Sequence, residues 1–445
     1  MRRDVVVAAG AFAPGHLGEL TRLIPFEMVD EALTRTGRTQ VRVRDLPSRV
    51  VVYLLLAGCL FPELGWRQVW QRLTAGLTGL KLAVPTAAAL VQARRRVGVE
   101  PVRWLWELLR GPAAGIATTG VWWRGLRICA IDGTTMAAPD TAANLSRFTK
   151  HRCNNGGSGY PQIRLLVLVS CGTRALLDAV FGTTAHGETT YAPRLLRSLH
   201  AGMIVLLDRS FADQSLIAAI VATGAQTLVR IKNSRRLPVL RRLADGSYRS
   251  MLGTVAVRVI DCEITIATAT GRRTSLYRLV TTLTDHRTHP AAELVTLYHE
   301  RWEIETAFLE IKSTILGGRV LRARTPDGID QEIYALLLTY QLLRLAMADA
   351  TGTQPEIDPD RASFTTALHT ARDLVIQATG IIADTVIDLV GTIGRHVLAD
   401  LMPARRIRTR PRVVKRAISK YNAKGTVDRT SYKATISIDI LITDP

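Results

Sequence analysis

LRICAIDGT (126–134) and MIVLLD (203–208) decide the fold: each is a short apolar run closing on an aspartate, Asp132 and Asp208. Runs of this length rich in Ile, Leu and Val read as buried strands, and Asp132-Gly133 reads as a strand ending in a tight turn. Between them, RLLVLVSCGTRALLDAVFGTT (164–184) reads as a two-stranded hairpin with Gly172 at its turn, and TYAPRLLRSLH (190–200) as a helix. After Asp208 come a helix in FADQSLIAAIVATG (211–224) and a strand in QTLVRIKN (226–233). Strand–strand–strand–helix–strand–helix–strand implies a mixed α/β sheet with antiparallel hairpin character.

The flanks have other periods. Residues from about 15 to 120 read as helical: LGELTRLIPFEMVDEAL (17–33), RVRDLPSRVVVYLLLAGCLF (42–61) and WRQVWQRLTAGL (66–77) carry apolar residues three and four apart. Trp66 and Trp70 share a helical face, which is more often core than a base-stacking platform; Arg94, Arg95 and Arg96 form a charge run, either a solvated face or a phosphate contact. From about 235 to 288 the sequence turns to short β runs with Gly-containing turns, an all-β insertion in the α/β domain. A long helix follows over 291–316, with Pro290 at its start, and then a helix in QEIYALLLTYQLLRLAMADA (331–350), apolar enough to be buried.

The chain of 445 residues is 47% hydrophobic and 22% charged, which excludes wholesale disorder. Lys plus Arg is 58 and Asp plus Glu 38, for a net charge of +20. Such an excess draws polyanions, and nucleic acid is the default partner. A high-GC coding bias accounts for arginine over lysine but not for the excess over acid. Arg405, Arg406, Arg408, Arg410, Arg412, Lys415, Arg416, Lys420 and Lys424 form a tail stretch without one acidic residue. Five scattered cysteines without a C-x-x-C pair exclude a disulfide framework and a zinc pattern, and fit a reducing cytoplasm. The apolar stretch after Met1-Arg2-Arg3 is short and reads as an N-terminal extension rather than a signal peptide. The run Val50–Phe61 falls short of the roughly 20 residues of a membrane span. The expectation is a soluble intracellular protein.

Carboxylates at the strand ends of an open α/β sheet face the crevice where ligands bind, and hard cations take such oxygens together with substrate phosphates. Either aspartate alone is equally a turn former. On the helix from Ala291 to Leu316, Tyr298, Arg301, Glu305 and Lys312 fall within an arc of roughly 60°. Leu297, Ile304, Phe308 and Ile311 give that helix an apolar face to bury, and Arg301–Glu305 alone is a routine i,i+4 pair. Asp140, Glu188, Asp213, Glu303 and Glu310 compete for the acidic roles. Glu303 and Glu310 point about 160° and 140° away from Glu305, and Asp213 falls near a helix start, where an acid is favourable in itself.

YHERWEIETAFLEIK (298–312) matches Y-x2-R-x3-E-x6-K, and the chain is identified on it as resembling the insertion-sequence-4 type DDE transposases. IDGTTMAAPDTAANLSRF (131–148) resembles the family's block around the first catalytic Asp and IVLLDRSFADQSLI (204–217) that around the second. RVRDLPSRVVVYLLLAGCLFPELGWRQVW (42–70) resembles its N-terminal domain, and PRVVKRAISKY (411–421) its basic C-terminal end. The resemblance implies an RNase H-like mixed sheet flanked by helices. It implies a helical domain over 1–120 that binds transposon ends, a catalytic domain over 121–400 with the β insertion inside it, and a basic tail over 401–445. Asp132, Asp208 and Glu305 would be the catalytic and metal-binding triad, holding two Mg2+ ions for which Mn2+ substitutes. Tyr298, Arg301 and Lys312 would contact DNA phosphates.

The implied activity is cut-and-paste transposition on double-stranded DNA, both element ends and target, by a homodimer. A catalytically inactive DNA-binding copy and another RNase H-like nuclease are the alternatives. Hairpin-forming relatives flip a base onto an aromatic residue of the insertion, typically Trp; here Tyr248 and Tyr277 are its only aromatics.

Overall fold

The computed structural model describes residues 16–42, 44–116, 118–153, 156–268, 271–379, 388, 390–403 and 434–441. The basic stretch from Arg405 to Lys424 lies outside the described residues. The chain forms two compact units, each discontinuous: one of residues 1–198 and 302–402, the other of 199–301 and 403–445.

The first unit begins with five helices, α1 (Phe26–Arg35), α2 (Ser48–Leu60), α3 (Trp66–Thr74), α4 (Ala87–Val97) and α5 (Glu100–Leu109). The helix expected over 17–33 starts only at Phe26, because Pro25 occupies the N-cap with extended backbone. Nearly every residue of α2 is buried. Trp70 is core, its indole donating to Ala83 O at 3.1 Å. Trp66 is sandwiched between the guanidiniums of Arg94 (4.1 Å) and Arg322 (4.3 Å), and Arg96 donates to Leu46 O, so two arginines of the charge run are spent inside the fold.

Five strands follow: β1 (Trp122–Trp123), β2 (Leu126–Ala137), β3 (Thr149–Cys153), β4 (Gly156–Ser170) and β5 (Leu176–Thr183), with short helices α6 (Ala142–Leu145) and α7 (Glu188–Tyr191). The pairings among these five strands are antiparallel: β2 pairs with β1 and β4, and β4 also pairs with β3 and β5. Gly172 makes the β4–β5 turn at φ +85°, where a Cβ would meet the Gly120 carbonyl carbon at 2.9 Å.

The second unit holds β6 (Met203–Leu207), α8 (Gln214–Ala222) and β7 (Gln226–Ile231), a parallel pair joined through a helix. The all-β insertion is β8 (Arg241–Arg242), β9 (Tyr248–Leu252), β10 (Val255–Thr268) and β11 (Gly271–Thr281), antiparallel throughout. Its last strand returns onto β7, so the order is β6-β7-β11-β10-β9-β8. Helix α9 (Ala291–Tyr298) closes the unit's first segment.

Back in the first unit come α10 (Trp302–Leu309), a π-helical stretch (Glu310–Ile315), α11 (Pro326–Gly352), α12 (Phe364–Gln377) and α13 (Gly391–Ala399). Helix α11 is long and apolar enough to cross a membrane, yet 78% of its apolar window is buried inside the protein, against α2, α5, α12 and α13. A final strand, β12 (Ala434–Ile440), belongs to the second unit and pairs antiparallel with β10 from Cys262 to Thr268.

Two local expectations are corrected. Strand β2 does not end at Asp132-Gly133 but runs through it to Ala137, with Asp132 opposite Val167 on β4. The glycine answers a steric demand: a Cβ at Gly133 would meet Glu188 Oε1 at 2.5 Å. The single helix expected over 291–316 is interrupted twice, by a 3-10 turn at His299–Arg301 and by the π-helix, where Leu316 N donates to Ile311 O at 3.2 Å. The 3-10 turn is also where the two units divide. Tyr298 and Arg301 therefore belong to the second unit, Glu305 and Lys312 to the first.

Candidate active site

In the first unit the candidate residues gather on and against β2. Asp132 is half-buried, and one of its carboxylate oxygens accepts the Gly133 N–H at 2.8 Å. Thr134, two residues on and so on the same face of the strand, accepts a hydrogen bond from Lys312 Nζ at 3.0 Å. Burial holds the Lys312 amine below its usual value of 10.5. Helix α10, which carries the half-buried Glu305, packs directly against β2. Glu188, one of the competing acids, approaches Gly133 but is committed to Arg164 at 2.8 Å. Glu303 and Glu310, also competitors, are buried in ion pairs on the other side of their helix. Asp140 pairs with Lys150 at 2.5 Å.

The second unit holds the remaining aspartate. Asp208 follows β6 directly, is half-buried, and caps the 3-10 turn Arg209–Phe211 by accepting the Ser210 N–H. Asp213 has a structural task, capping α8 by accepting the Leu216 N–H at 2.9 Å. Tyr298 is buried, and its hydroxyl donates to Leu207 O at 3.1 Å, next in the chain to Asp208. Burial pushes its phenol up to about 12, against the nearby charge of Arg301, whose guanidinium lies 6.0 Å from the ring.

Sequence reading did not single out a cleft of about 330 Å3 in this unit, lined by Arg209, Arg230, Ile231, Lys232, Asn233 and Ser234. Arg230 lies over the half-exposed Tyr277 ring at 4.0 Å, whereas Tyr248 is buried. The signal for this cleft was present in RIKN: basic residues at 230 and 232 alternate as the strand ends. Thr134 left no comparable signal.

Two of the three expected acids, Asp132 and Glu305, lie in the first unit on a strand and a helix that pack together; Asp208 lies in the second. Among the described residues no group of three His, Cys, Asp or Glu side chains is gathered closely enough to hold a metal ion. The donor chemistry nevertheless fits: all three are carboxylates, the oxygen ligands that hard divalent cations take.

Comparisons with known proteins agree along the chain. The family described as "Insertion element 4 transposase N-terminal" matches residues 14–107, and "Transposase DDE domain" matches residues 123–342, a span that contains both aspartates and the whole Y-R-E-K motif. The transposase InsG for insertion sequence element IS4 of Escherichia coli strain K12 is 27% identical over 411 residues, covering 89% of this chain and 91% of the relative. The cryo-EM structure of a piggyBac transposase synaptic complex with hairpin DNA superposes with a TM-score of 0.45 at 10% identity, over 90% of this chain and 87% of that one. The mixed α/β architecture with flanking helices is RNase H-like, and the match to the transposase DDE domain fits that fold.

Proposed function

Because the chain belongs to the insertion-element-4 family of DDE transposases, we propose that it binds the terminal inverted repeats of its element, cleaves them at Asp132, Asp208 and Glu305, and joins the ends to target DNA. The observation that carries this reading is the hydrogen bond from Lys312 to Thr134. It ties the last residue of the Y-R-E-K motif to the strand of the first aspartate, two positions from it.

DDE transposase domains depend on divalent metal. Mg2+ ions held by the three carboxylates would supply activation of the attacking oxygen and stabilisation of the leaving one. The chain's own residues do the rest. Arg301 and Lys312 offer positive charge to the phosphates near the cleaved end, in a site otherwise rich in carboxylate. Tyr298, expected among the phosphate contacts, serves the DNA from within, bracing the strand end that carries Asp208. Water attacks first and leaves a 3′-hydroxyl on the element. That hydroxyl attacks the opposite strand to close a hairpin, and after reopening it attacks the target. Of the two insertion tyrosines only Tyr277 is accessible to a flipped base. The helical N-terminal region binds the ends, two copies pair them, and the work is done at the bacterial nucleoid.

The test is Glu305→Gln. Cleavage of an element-end duplex is expected to fall at least ~100-fold with binding retained. Wild-type cleavage by the variant, or cleavage that persists in EDTA, refutes the reading. An inactive DNA-binding copy is recognised by wild-type protein that binds ends without cutting.

A further inference from the structure

Behind Glu305 lies a buried ionic cluster that the chemistry above does not use. Arg174, on the turn between β4 and β5, contacts three carboxylates: Glu303 at 2.7 Å, Asp360 at 2.8 Å and Glu310 at 3.4 Å. Arg344 on α11 also pairs with Glu310, and the Tyr340 hydroxyl lies 3.0 Å from the same carboxylate. Glu303 is 0% exposed, and the other members are nearly so. Arg174 adopts a left-handed backbone, φ +56°, which non-glycine residues take only where their surroundings enforce it.

Stability alone is a poor account of such a cluster. Desolvating five charged groups is costly, and apolar residues of similar volume are often as stable in their place. Position is a better account. Glu303 and Glu310 stand seven residues apart, two helical turns, so both lie on one face of their helix. Glu305 projects from the opposite face, about 160° from Glu303. Gripping Glu303 and Glu310 from one guanidinium fixes the rotation of that helix and its advance along its axis. The grip also has a second end. Arg174 sits on the hairpin whose strand β4 pairs with β2, Val167 opposite Asp132.

We propose that Arg174 is a positioning residue, which through Glu303 and Glu310 sets the rotation of the Glu305 helix and so the aim of the Glu305 carboxylate relative to the Asp132 strand. This rests on the reading of Glu305 as a metal-binding acid. The widened π turn that begins at Glu310 belongs to the same device: the cluster holds its first residue, and Lys312 leaves it to reach Thr134.

The experiment uses two mild variants of the full chain, Glu303→Gln and Arg174→Lys. Mn2+ is titrated into each, bound to a duplex of the element's own end, and free Mn2+ is followed by electron paramagnetic resonance. The expected result is a Mn2+ affinity lowered about tenfold or more, as for residues that orient a metal ligand, with a parallel loss of cleavage. Duplex binding stays at the wild-type value, while the thermal midpoint falls because each variant leaves buried charge incompletely paired. Unchanged Mn2+ affinity overturns the proposal, whether or not the midpoint falls, and so does failure of both variants to fold, which makes the cluster a folding element. Glu305→Gln is run beside them. If it keeps wild-type Mn2+ affinity and cleavage, the assignment of Glu305 itself has failed, independently of Arg174.

Discussion

Lys312 and Thr134, far apart in the sequence, meet in a hydrogen bond of 3.0 Å between the amine and the hydroxyl. The bond keeps the ammonium beside the strand of Asp132 in a partly buried setting, which lowers its affinity for a proton. The folded value lies below that of the unfolded chain, so below it the buried charge costs stability, and that cost is relieved as the pH rises through it. The same rise removes the positive charge offered to DNA. Cleavage should therefore decline on an alkaline limb below pH 10.5. In Lys312→Arg that limb should disappear, because guanidinium stays protonated. A pH–rate profile of both proteins checks this; coincident limbs refute it.

Gly133→Ala places a methyl group where Glu188 Oε1 already lies 2.5 Å from the Cβ position. Glu188 must then leave Arg164 or β2 must shift. A loss of about 1–3 kcal/mol is expected, read as a lower midpoint in denaturant. The double variant with Glu188→Ala should recover most of it. No recovery would place the strain in the backbone instead.

Tyr277→Ala should slow hairpin closure more than first-strand nicking, because loss of base stacking costs about 1–3 kcal/mol at the step that needs the flipped base. Tyr277→Trp should restore or exceed the wild-type rate. A denaturing gel that separates nicked from hairpin product gives both rates. Equal slowing of the two steps would remove Tyr277 from this role.

Replacing Arg405, Arg406, Arg408, Arg410 and Arg412 with Gln should flatten the dependence of log affinity on log salt by about 0.9 for each phosphate that the variant no longer neutralises. Substitution is the right design here. Truncation at 405 would also remove β12 and its ladder with β10. An unchanged slope means that the stretch makes no electrostatic contact.

Much of the fold is written locally. MIVLLD is a buried strand ending at its aspartate, the hairpin turns at Gly172, and the apolar helix of 331–350 is buried as α11. What escapes the sequence is what distant residues impose. Asp132-Gly133 reads as a turn because its neighbours say so; the need for glycine comes from Glu188, more than a strand and a hairpin later. A regular heptad-like spacing from Tyr298 to Lys312 reads as one helix. The buried partners of Glu303 and Glu310 and the tight turn at His299–Arg301 divide it. Arg174 is one arginine among many in the sequence, and only the meeting of β4–β5, α10, α11 and the Asp360 turn gives it four partners. The candidate acids themselves were legible, since strand-end and motif positions are local properties.

The pairing of β12 with β10 also sets a timetable for the ribosome. The insertion's long strand is synthesised well before its partner, and until residues 434–440 emerge its backbone from Cys262 to Thr268 has β11 on one side and an open edge on the other. An open edge invites pairing with other chains. A messenger cut short before that codon stretch yields a product that keeps Asp132, Asp208 and Glu305 but leaves this edge of the sheet open, so the shortened chain is expected to aggregate.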